Sequence, residues 1–322
     1  MAAFAPPPFP DPGTGPDVDL ELMDLQLALI FLQQGIASGL VSGSVYALLA
    51  LAIVVIFKTS DVPNFAQGEV FMAAGYVALY LFVFQKMPIW VVLPATLVVA
   101  FLAMALFRRF VLDQVAKSAK DLVYLVIATL GLSYVLKGLV RRTGFGDTPR
   151  SFPALVPTDS IMIGQASVTM LDLAIFGTAV TVMAAFFWMF NYTKTGRAMR
   201  AVGMNPKAAQ LVGVDLRRCH MLIWGLSGVI SAIAALLISP KILMTADMGS
   251  IVMLAFAAAI VGGFSSLPGA VVGGFVIGIV ENMVGLFISS RAIVLAPFLA
   301  ILIVLVLRPQ GLFGGKLTIK KV

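Results

Sequence analysis

The sequence contains very few of the residues that build metal sites, disulfide frameworks and catalytic centres. It has one cysteine and one histidine, and Asp, Glu, Lys and Arg together make up 11% of its 322 residues. Cys219 and His220 are neighbours, and one such pair supports neither a disulfide framework nor a metal site. Acid–base and nucleophilic catalysis need titrating side chains on converging faces, so we predict no catalytic residues, no metal and no cofactor.

An ATP-binding loop is also missing. The pattern G-x-x-x-x-G-K-[ST] cradles phosphates, and its nearest approach, residues 311–317, has the wrong spacing and no hydroxyl after Lys316. The net charge of +7 could indicate nucleic acid, but no basic patch is interleaved with aromatic residues outside the predicted cytoplasmic loops. We therefore predict that the chain is not an enzyme, binds no nucleic acid and takes its energy from a partner or an ion gradient.

Long apolar runs dominate what is present. Hydrophobic residues make up 60% of the chain, and about 17–25 of them in sequence suffice to cross a bilayer as a helix. One of these runs, residues 250–264, is short enough to be a half-helix. We predict an all-α, polytopic transmembrane bundle of about nine spans, with eight and ten as alternatives, forming one transmembrane domain over residues 25–322. The predicted spans are 27–57, 65–84, 88–107, 122–140, 171–190, 221–239, 250–264, 269–289 and 292–307.

Residues 1–24 differ in composition from the rest. They are rich in proline and acidic residues, contain no basic residue, and lack the positive start and apolar core of a secretory signal. Such a segment cannot bury enough apolar surface to fold on its own, so we predict a disordered tail.

The distribution of Lys and Arg predicts the orientation. With residues 191–220 in the cytoplasm, 15 of the 22 basic residues are cytoplasmic, 6 lie outside, and Lys137 lies within a span, where we expect it to snorkel to the outer edge. The N-terminus is then outside and the C-terminus cytoplasmic in a multi-pass membrane protein. His220 is expected at the cytoplasmic end of a helix.

The basic loop over residues 191–220 carries its own helix signals. Asn205 followed by Pro206 is typical of an N-cap and a first helical residue, and Gly213 of the residue after a helix end. Thr193 or Thr195 can cap a second short helix upstream. Two capped helices with an apolar face suggest docking of a soluble partner, and an ordinary solvated connection is the alternative. Residues expected to take part in docking are Gly196, Arg197, Arg200, Asn205, Pro206, Ala209, Leu211 and Gly213.

Glycines recur at four-residue spacing in the first and eighth predicted spans. Small residues at this spacing allow helix backbones to approach closely in lipid. We expect helix packing, and the alternative is that these backbones line a translocation path. The residues are Gly35, Gly39, Gly43, Gly269, Gly273, Gly274 and Gly278.

A few polar residues fall within or beside the predicted spans. A charge at the centre of a membrane helix costs about 2.5–3.5 kcal/mol on insertion scales, so each needs a partner or a pathway. Glu281 and Asn282 lie more than halfway along the eighth span. Asn64 and Gln67 are expected to form a capping pair at the start of the second, where Glu69 suits the helix dipole. Two roles stay open for all five: anchoring a helix or contacting a translocation path.

Four segments resemble the inner-membrane permeases of high-affinity branched-chain amino acid ABC transporters. They are residues 39–69, which run into an Asn-Phe-Ala-His-Gly-Glu-like motif, 195–218, 257–281 and the terminal LRPQGLFG at 307–314. In the motif, Gln67 stands where His is commoner, so a hydrogen-bonding role is retained and a titrating one is not.

The resemblance implies the permease subunit of an ABC importer, which pairs with a second related permease, cytoplasmic ATPase subunits and a periplasmic binding protein. Its cargo would be branched-chain amino acids or a related small polar solute such as urea or amides, and residues 191–220 would form the loop that contacts the ATPase. One alternative is a secondary transporter driven by an ion gradient, although no clear internal repeat is visible. An ion channel would need a run of filter residues, and none stands out.

Overall fold

A computed structural model describes residues 17–314 apart from 119, 120, 145, 147 and 155, with side-chain environments from residue 26 onwards. Residues 1–16 of the predicted tail therefore lie outside the described residues, as do residues 315–322. The first helix begins at Asp17, so it overlaps the last part of the segment predicted to be a tail.

Nearly all of the described regular structure is helical. Two π-helical turns, Tyr80–Phe84 and Arg108–Leu112, extend α2 and α3, and 3₁₀ turns at Met248–Ser250 and Ala292–Val294 precede α10 and α12. The helices are α1 (Asp17–Ser60), α2 (Gln67–Leu79), α3 (Ile89–Phe107), α4 (Asp113–Ser118), α5 (Val123–Arg142), α6 (Met170–Tyr192), α7 (Lys194–Met204), α8 (Pro206–Leu211), α9 (Leu216–Ile238), α10 (Ile251–Gly262), α11 (Leu267–Phe287) and α12 (Ala296–Leu307).

Within the part of the chain that the structure describes, seven helical stretches are long and apolar enough to cross a membrane, and two shorter apolar helices accompany them. The seven contain α1, α2, α3, α5, α6, α9 and α11. The two shorter ones, Met248–Gly262 and Ala292–Leu307, correspond to the seventh and ninth predicted spans. Each predicted span overlaps one of these helices, so the prediction of a polytopic all-α bundle is confirmed.

The centre of the bundle is α1, whose residues between Val45 and Ile56 are almost completely buried. Its most extensive packing is against α11, and glycines lie at the crossing. A Cβ atom on Gly278 would come within 2.4 Å of the Gly43 Cα atom, and one on Gly274 within 2.4 Å of Ala47. The two backbones therefore touch without side chains between them.

A second close contact joins α11 to α10. A Cβ atom on Gly273 would lie 2.0 Å from the Ala258 carbonyl oxygen, and one on Gly269 would lie 2.3 Å from the Gly262 carbonyl oxygen. Gly35 differs, because a Cβ atom there would meet side chains and no backbone: Met283 at 2.5 Å and Leu286 at 3.0 Å. Of the seven predicted packing glycines, Gly35 has the least demanding surroundings.

Two helices begin in the interior of the bundle. After α1 the chain is non-helical over residues 61–66, and the first side chain of α2, Gln67, reaches Ser227, the central residue of α9. A Cβ atom on Gly68 would lie 2.4 Å from the carbonyl oxygen of Gly249, in the 3₁₀ turn that leads into α10. The starts of α2 and α10 therefore meet inside the bundle, level with the middle of α9, as expected for interrupted helices.

Small β elements cover one end of the bundle. Strands β2 (Ser160–Ile163) and β3 (Ala166–Thr169) form an antiparallel hairpin, and β1 (Arg150–Ser151) pairs with β4 (Leu243–Met244). Gln34 of α1 fixes the hairpin, because its amide accepts from the Ser167 N–H at 2.9 Å and donates to the Ser167 carbonyl at 3.2 Å. The sequence analysis did not predict these strands.

Replacing Gly278 tests the close crossing of α1 and α11. Gly278→Ala should destabilise the protein by about 1–3 kcal/mol, because the new methyl group overlaps the backbone at Gly43 and the helices must separate. The matched control is Gly138→Ala in α5, where no described atom lies within 4 Å of the added carbon. Unfolding in detergent micelles measures both variants, and equal stability would contradict the role of the crossing.

Candidate translocation path and coupling surface

A buried amide network lies where α2 begins. Asn64 and Gln67 are both fully buried, and the Asn64 Nδ2 atom donates to the Gln67 Oε1 atom at 2.7 Å. The Gln67 Nε2 atom donates to the hydroxyl of Ser227, at 2.9 Å, and to that of Ser231. The Ser227 hydroxyl in turn donates to the Ala52 carbonyl at 3.1 Å. The network therefore joins α1, α2 and α9.

The predicted capping pair at this point is wrong. Helix α2 begins at Gln67, and its N-cap is Ala66, which makes no side-chain capping bond. The Asn64 Oδ1 atom accepts from the Ala66 N–H at 3.1 Å, and its amide nitrogen is used by Gln67. Asn64 therefore orders the non-helical stretch before α2, because its side chain is drawn into the buried network.

Glu69, the third residue of α2, lies at the wall of a cavity of about 310 Å³ between the starts of α2 and α10 and the C-terminal half of α5. The same cavity is lined by Lys137 and Asp247, which form an ion pair at 2.5 Å. Arg141 is a second cation near Asp247, at 3.4 Å. The hydrogen bond from Lys137 and its charge lower the pKa of Asp247, so this carboxylate is ionised at neutral pH.

The structure thus gives Lys137 a specific partner in place of simple snorkelling. Asp247, in the loop before α10, was not singled out by the sequence analysis, because no local pattern links residues that are so far apart in the chain. Within the described residues, the Glu69 carboxylate has neither an ion-pair nor a hydrogen-bond partner.

Glu281 and Asn282 lie elsewhere, on α11 where it packs against α1. The Tyr46 hydroxyl of α1 is the polar neighbour of the Glu281 carboxyl. Among the described atoms the Glu281 Oε2 atom is buried without a hydrogen-bond partner. The Asn282 side chain donates to the Gly278 carbonyl of its own helix at 2.9 Å. Neither residue lines the cavity beside Glu69, so the structure separates the five candidate polar residues into two groups.

The loop over residues 191–220 contains two short helices, as the capping signals predicted. Thr193 caps α7 and Asn205 caps α8, each through a side-chain oxygen that accepts a backbone N–H bond, at 3.0 and 3.1 Å. Pro206 is the first residue of α8, and Gly213 has a φ of +88°, which favours glycine. Local sequence is therefore sufficient to shape this loop.

Several predicted docking residues hold the loop against the bundle. A Cβ atom on Gly196 would lie 2.2 Å from the Phe190 carbonyl oxygen. Arg200 donates to that carbonyl, and its guanidinium lies 5.6 Å from the centroid of the Phe190 ring. Val202 and Ala209 are buried. These residues position the loop, and their side chains are not offered to a partner.

An apolar tip remains exposed on the loop. It consists of Met204, Leu211 and Val212, whose exposed fractions are 78%, 88% and 79%. Arg197 is also exposed in the same loop. Such apolar exposure is typical of a protein contact surface, and the predicted docking residues that the structure leaves exposed are Arg197, Asn205, Leu211 and Gly213.

A polar cluster ties the loop to the bundle, and the sequence analysis missed it. The Arg108 guanidinium lies 3.1 Å from the Nδ1 atom of His220 and 3.1 Å from Asp113. The other ring nitrogen of His220 lies 3.3 Å from the Thr59 carbonyl oxygen, and Arg217 pairs with Asp113 at 3.2 Å. The cluster connects the end of α1, the end of α3 and the start of α9.

Substitutions of Gln67 test the buried network. Gln67→Leu should destabilise the protein by about 1–3 kcal/mol, because Asn64 and the two serines lose a partner in an apolar interior. Gln67→His should be better tolerated, because one imidazole nitrogen accepts while the other donates. Unfolding in detergent compares the two variants with the unmodified chain. Equal stability of Gln67→Leu and the unmodified chain would contradict an anchoring role.

Comparison with known proteins identifies the family. Residues 35–307 match the family described as "Branched-chain amino acid transport system / permease component". The chain is 30% identical over 306 residues to the high-affinity branched-chain amino acid transport system permease protein LivH of Escherichia coli (strain K12), with 89% of this chain and 96% of that protein covered. The counterpart from Salmonella typhimurium is 28% identical over 305 residues, with the same coverage.

More distant relatives have other names. The ribose import permease protein RbsC of Haemophilus influenzae is 26% identical over 277 residues, which cover 81% of this chain and 80% of that protein. These relatives are transport permeases and not enzymes. Because the family match spans most of the helical bundle, the chain belongs to the permease family of the branched-chain amino acid transport systems.

Proposed function

We propose that this chain is the permease subunit of an ABC importer that carries branched-chain amino acids across the inner membrane. The observation that carries the proposal is the family match over residues 35–307, together with two relatives of that name that align over 96% of their own length. The energy would come from separate cytoplasmic ATPase subunits. A second related permease and a periplasmic binding protein would complete the importer.

The loop of α7 and α8 is the proposed ATPase contact. Its apolar tip is exposed, while Arg200, Gly196 and buried side chains hold both helices firmly against the bundle. A rigid attachment is needed, because otherwise a movement of the ATPase would bend the loop and leave the rest of the permease in place. The exposed Arg197 adds a charge with which the partner can pair.

The contacts of the loop suggest how movement would spread. In α7, a Cβ atom on Gly203 would lie 2.9 Å from the Lys58 carbonyl oxygen. The His220 ring contacts the Thr59 carbonyl oxygen. Both contacts reach the last turn of α1, directly before the non-helical stretch that leads to Glu69. Movement of the loop would therefore shift the end of α1 and, through it, the interrupted region where α2 and α10 meet.

The proposed orientation places the loop in the cytoplasm and the β2–β3 hairpin outside. The hairpin bonds to Gln34 in the first half of α1, and the loop contacts Lys58 near its end. A helix rises about 1.5 Å per residue, so these contacts lie about 36 Å apart along α1, which is enough to span a bilayer. The surplus of Lys and Arg on the loop side supports this choice of direction.

Labelling with a membrane-impermeant maleimide tests the orientation. Cys219 is buried, so the native chain should give a low background. Asp159→Cys, beside the hairpin, should be labelled in intact cells, and Lys207→Cys, in α8, only after the membrane is opened. The reverse pattern would contradict both the orientation and the assignment of the loop.

Polar substitution of the apolar tip tests ATPase docking. In Leu211→Ser with Val212→Ser the fold should be unchanged, because both side chains are exposed, while co-purification of the ATPase subunits should fall at least about tenfold through lost apolar burial. The measurement is the yield of ATPase bound to the affinity-purified permease, together with ATP-driven uptake of leucine.

The matched control is Ile163→Ser on the hairpin, which removes an exposed isoleucine at the other end of α1. It should leave ATPase binding intact. Full ATPase binding by the double variant would contradict docking at the tip. Uptake by the isolated permease without any ATPase would instead favour the secondary-transporter alternative.

A further inference from the structure

The cavity beside Glu69 combines charges of both signs with aromatic walls. We call it the charged cavity and define it by Phe65, Glu69, Lys137, Asp247, Met253 and Phe256. Its volume of about 310 Å³ is at the lower end of the range of about 300–1,000 Å³ for small-molecule sites. Met253, at its wall, is 59% exposed.

The charges in the cavity are not fully paired with each other. Asp247 has two cationic neighbours, Lys137 at 2.5 Å and Arg141 at 3.4 Å. Glu69 has no partner among the described residues. Lys137 can therefore turn toward a ligand while Arg141 stays with Asp247, and Glu69 can accept a positive group without releasing any other bond. The Glu69 carboxylate, which is a free acceptor, and the Lys137 ammonium group, which can change its partner, therefore line the same cavity.

Apolar surface completes the cavity. The rings of Phe65 and Phe256 stack with their centroids 5.5 Å apart, and Leu130 and Met253 extend the same wall. A divalent cation would need converging carboxylates, and the described residues contain no group of three His, Cys, Asp or Glu side chains that could hold a metal. An uncharged solute would leave the Glu69 carboxylate without a partner.

We propose that the charged cavity is the part of the translocation path that binds an α-amino acid zwitterion with an apolar side chain. Lys137 receives the substrate carboxylate, Glu69 receives the substrate ammonium, and Phe65 and Phe256 contact the side chain. This assignment rests on the proposed function. The position of the cavity supports this assignment. The cavity lies where the starts of α2 and α10 meet, which is the region that the proposed movement of α1 would shift.

The test uses the complete importer in proteoliposomes, with the binding protein outside, ATP available to the ATPase subunits, and radiolabelled leucine. Glu69→Gln and Lys137→Gln should each lower the maximal uptake rate at least about tenfold, as expected for the loss of a charged hydrogen bond. The leucine concentration for half-maximal uptake should stay unchanged, since the binding protein sets it. The matched control Asp159→Asn, an exposed carboxylate outside the cavity, should transport normally.

A charge swap separates substrate binding from a purely structural ion pair. Lys137→Asp combined with Asp247→Lys restores opposite charges between the two positions but moves the cation away from the substrate. Uptake should remain at least about tenfold below that of the unmodified importer. Recovery of normal uptake in the swapped variant, or normal uptake by Glu69→Gln, would overturn the site. Unfolding of Glu69→Gln would also count against it, because a side chain free for substrate holds no structure.

The solute that the unmodified importer transports shows whether a failed test contradicts the proposed site or the proposed cargo. If it carries another apolar amino acid in place of leucine, the cargo is wrong and the site stands, provided that the variants lose that transport. If it carries urea or a sugar and no amino acid, both the cargo and the zwitterion site are wrong. If it carries leucine and the variants do as well, only the site is wrong.

Discussion

The hydrogen bonds of Gln67 to the middle of α9 hold the structure around the proposed path together. In a membrane interior, backbone groups that leave a helix must find partners within the protein, or the break is too costly to form. Here Asn64 bonds to the chain before α2, and Gln67 fixes the first turn of α2 to Ser227 and Ser231. Helix α2 can therefore begin inside the bundle. The charged cavity lies at this beginning of α2.

Helix α1 connects this interior break to every other functional part. It contacts the backbone of α11 through glycines, bonds to the network through Ala52, and fixes the β2–β3 hairpin through Gln34. Its last turn contacts the loop of α7 and α8 at Lys58 and Thr59. Because tightly packed elements shift as units and do not deform continuously, α1 is suited to carry movement from one side of the bundle to its centre.

The relatives show that this scaffold serves more than one cargo. Proteins named for branched-chain amino acids and for ribose both align over most of the chain. The packing glycines and capping residues of this chain are not suited to discriminate between such solutes, because they contact other parts of the protein. Selectivity within the permease must come from side chains that face the path, and the proposed charged cavity supplies Glu69, Lys137 and Asp247 as candidates.

The sequence by itself determined the features that depend on neighbours in the chain. Apolar run lengths predicted the helices, and Thr193, Asn205, Pro206 and Gly213 predicted the two short helices of the loop, since capping acts within one turn. The pairing of Lys137 with Asp247, the contacts of Gln67 with α9, and the cluster around His220 were decided by the tertiary structure alone. Each joins residues that are separated by a hundred positions or more, and only packing of the helices brings their side chains together.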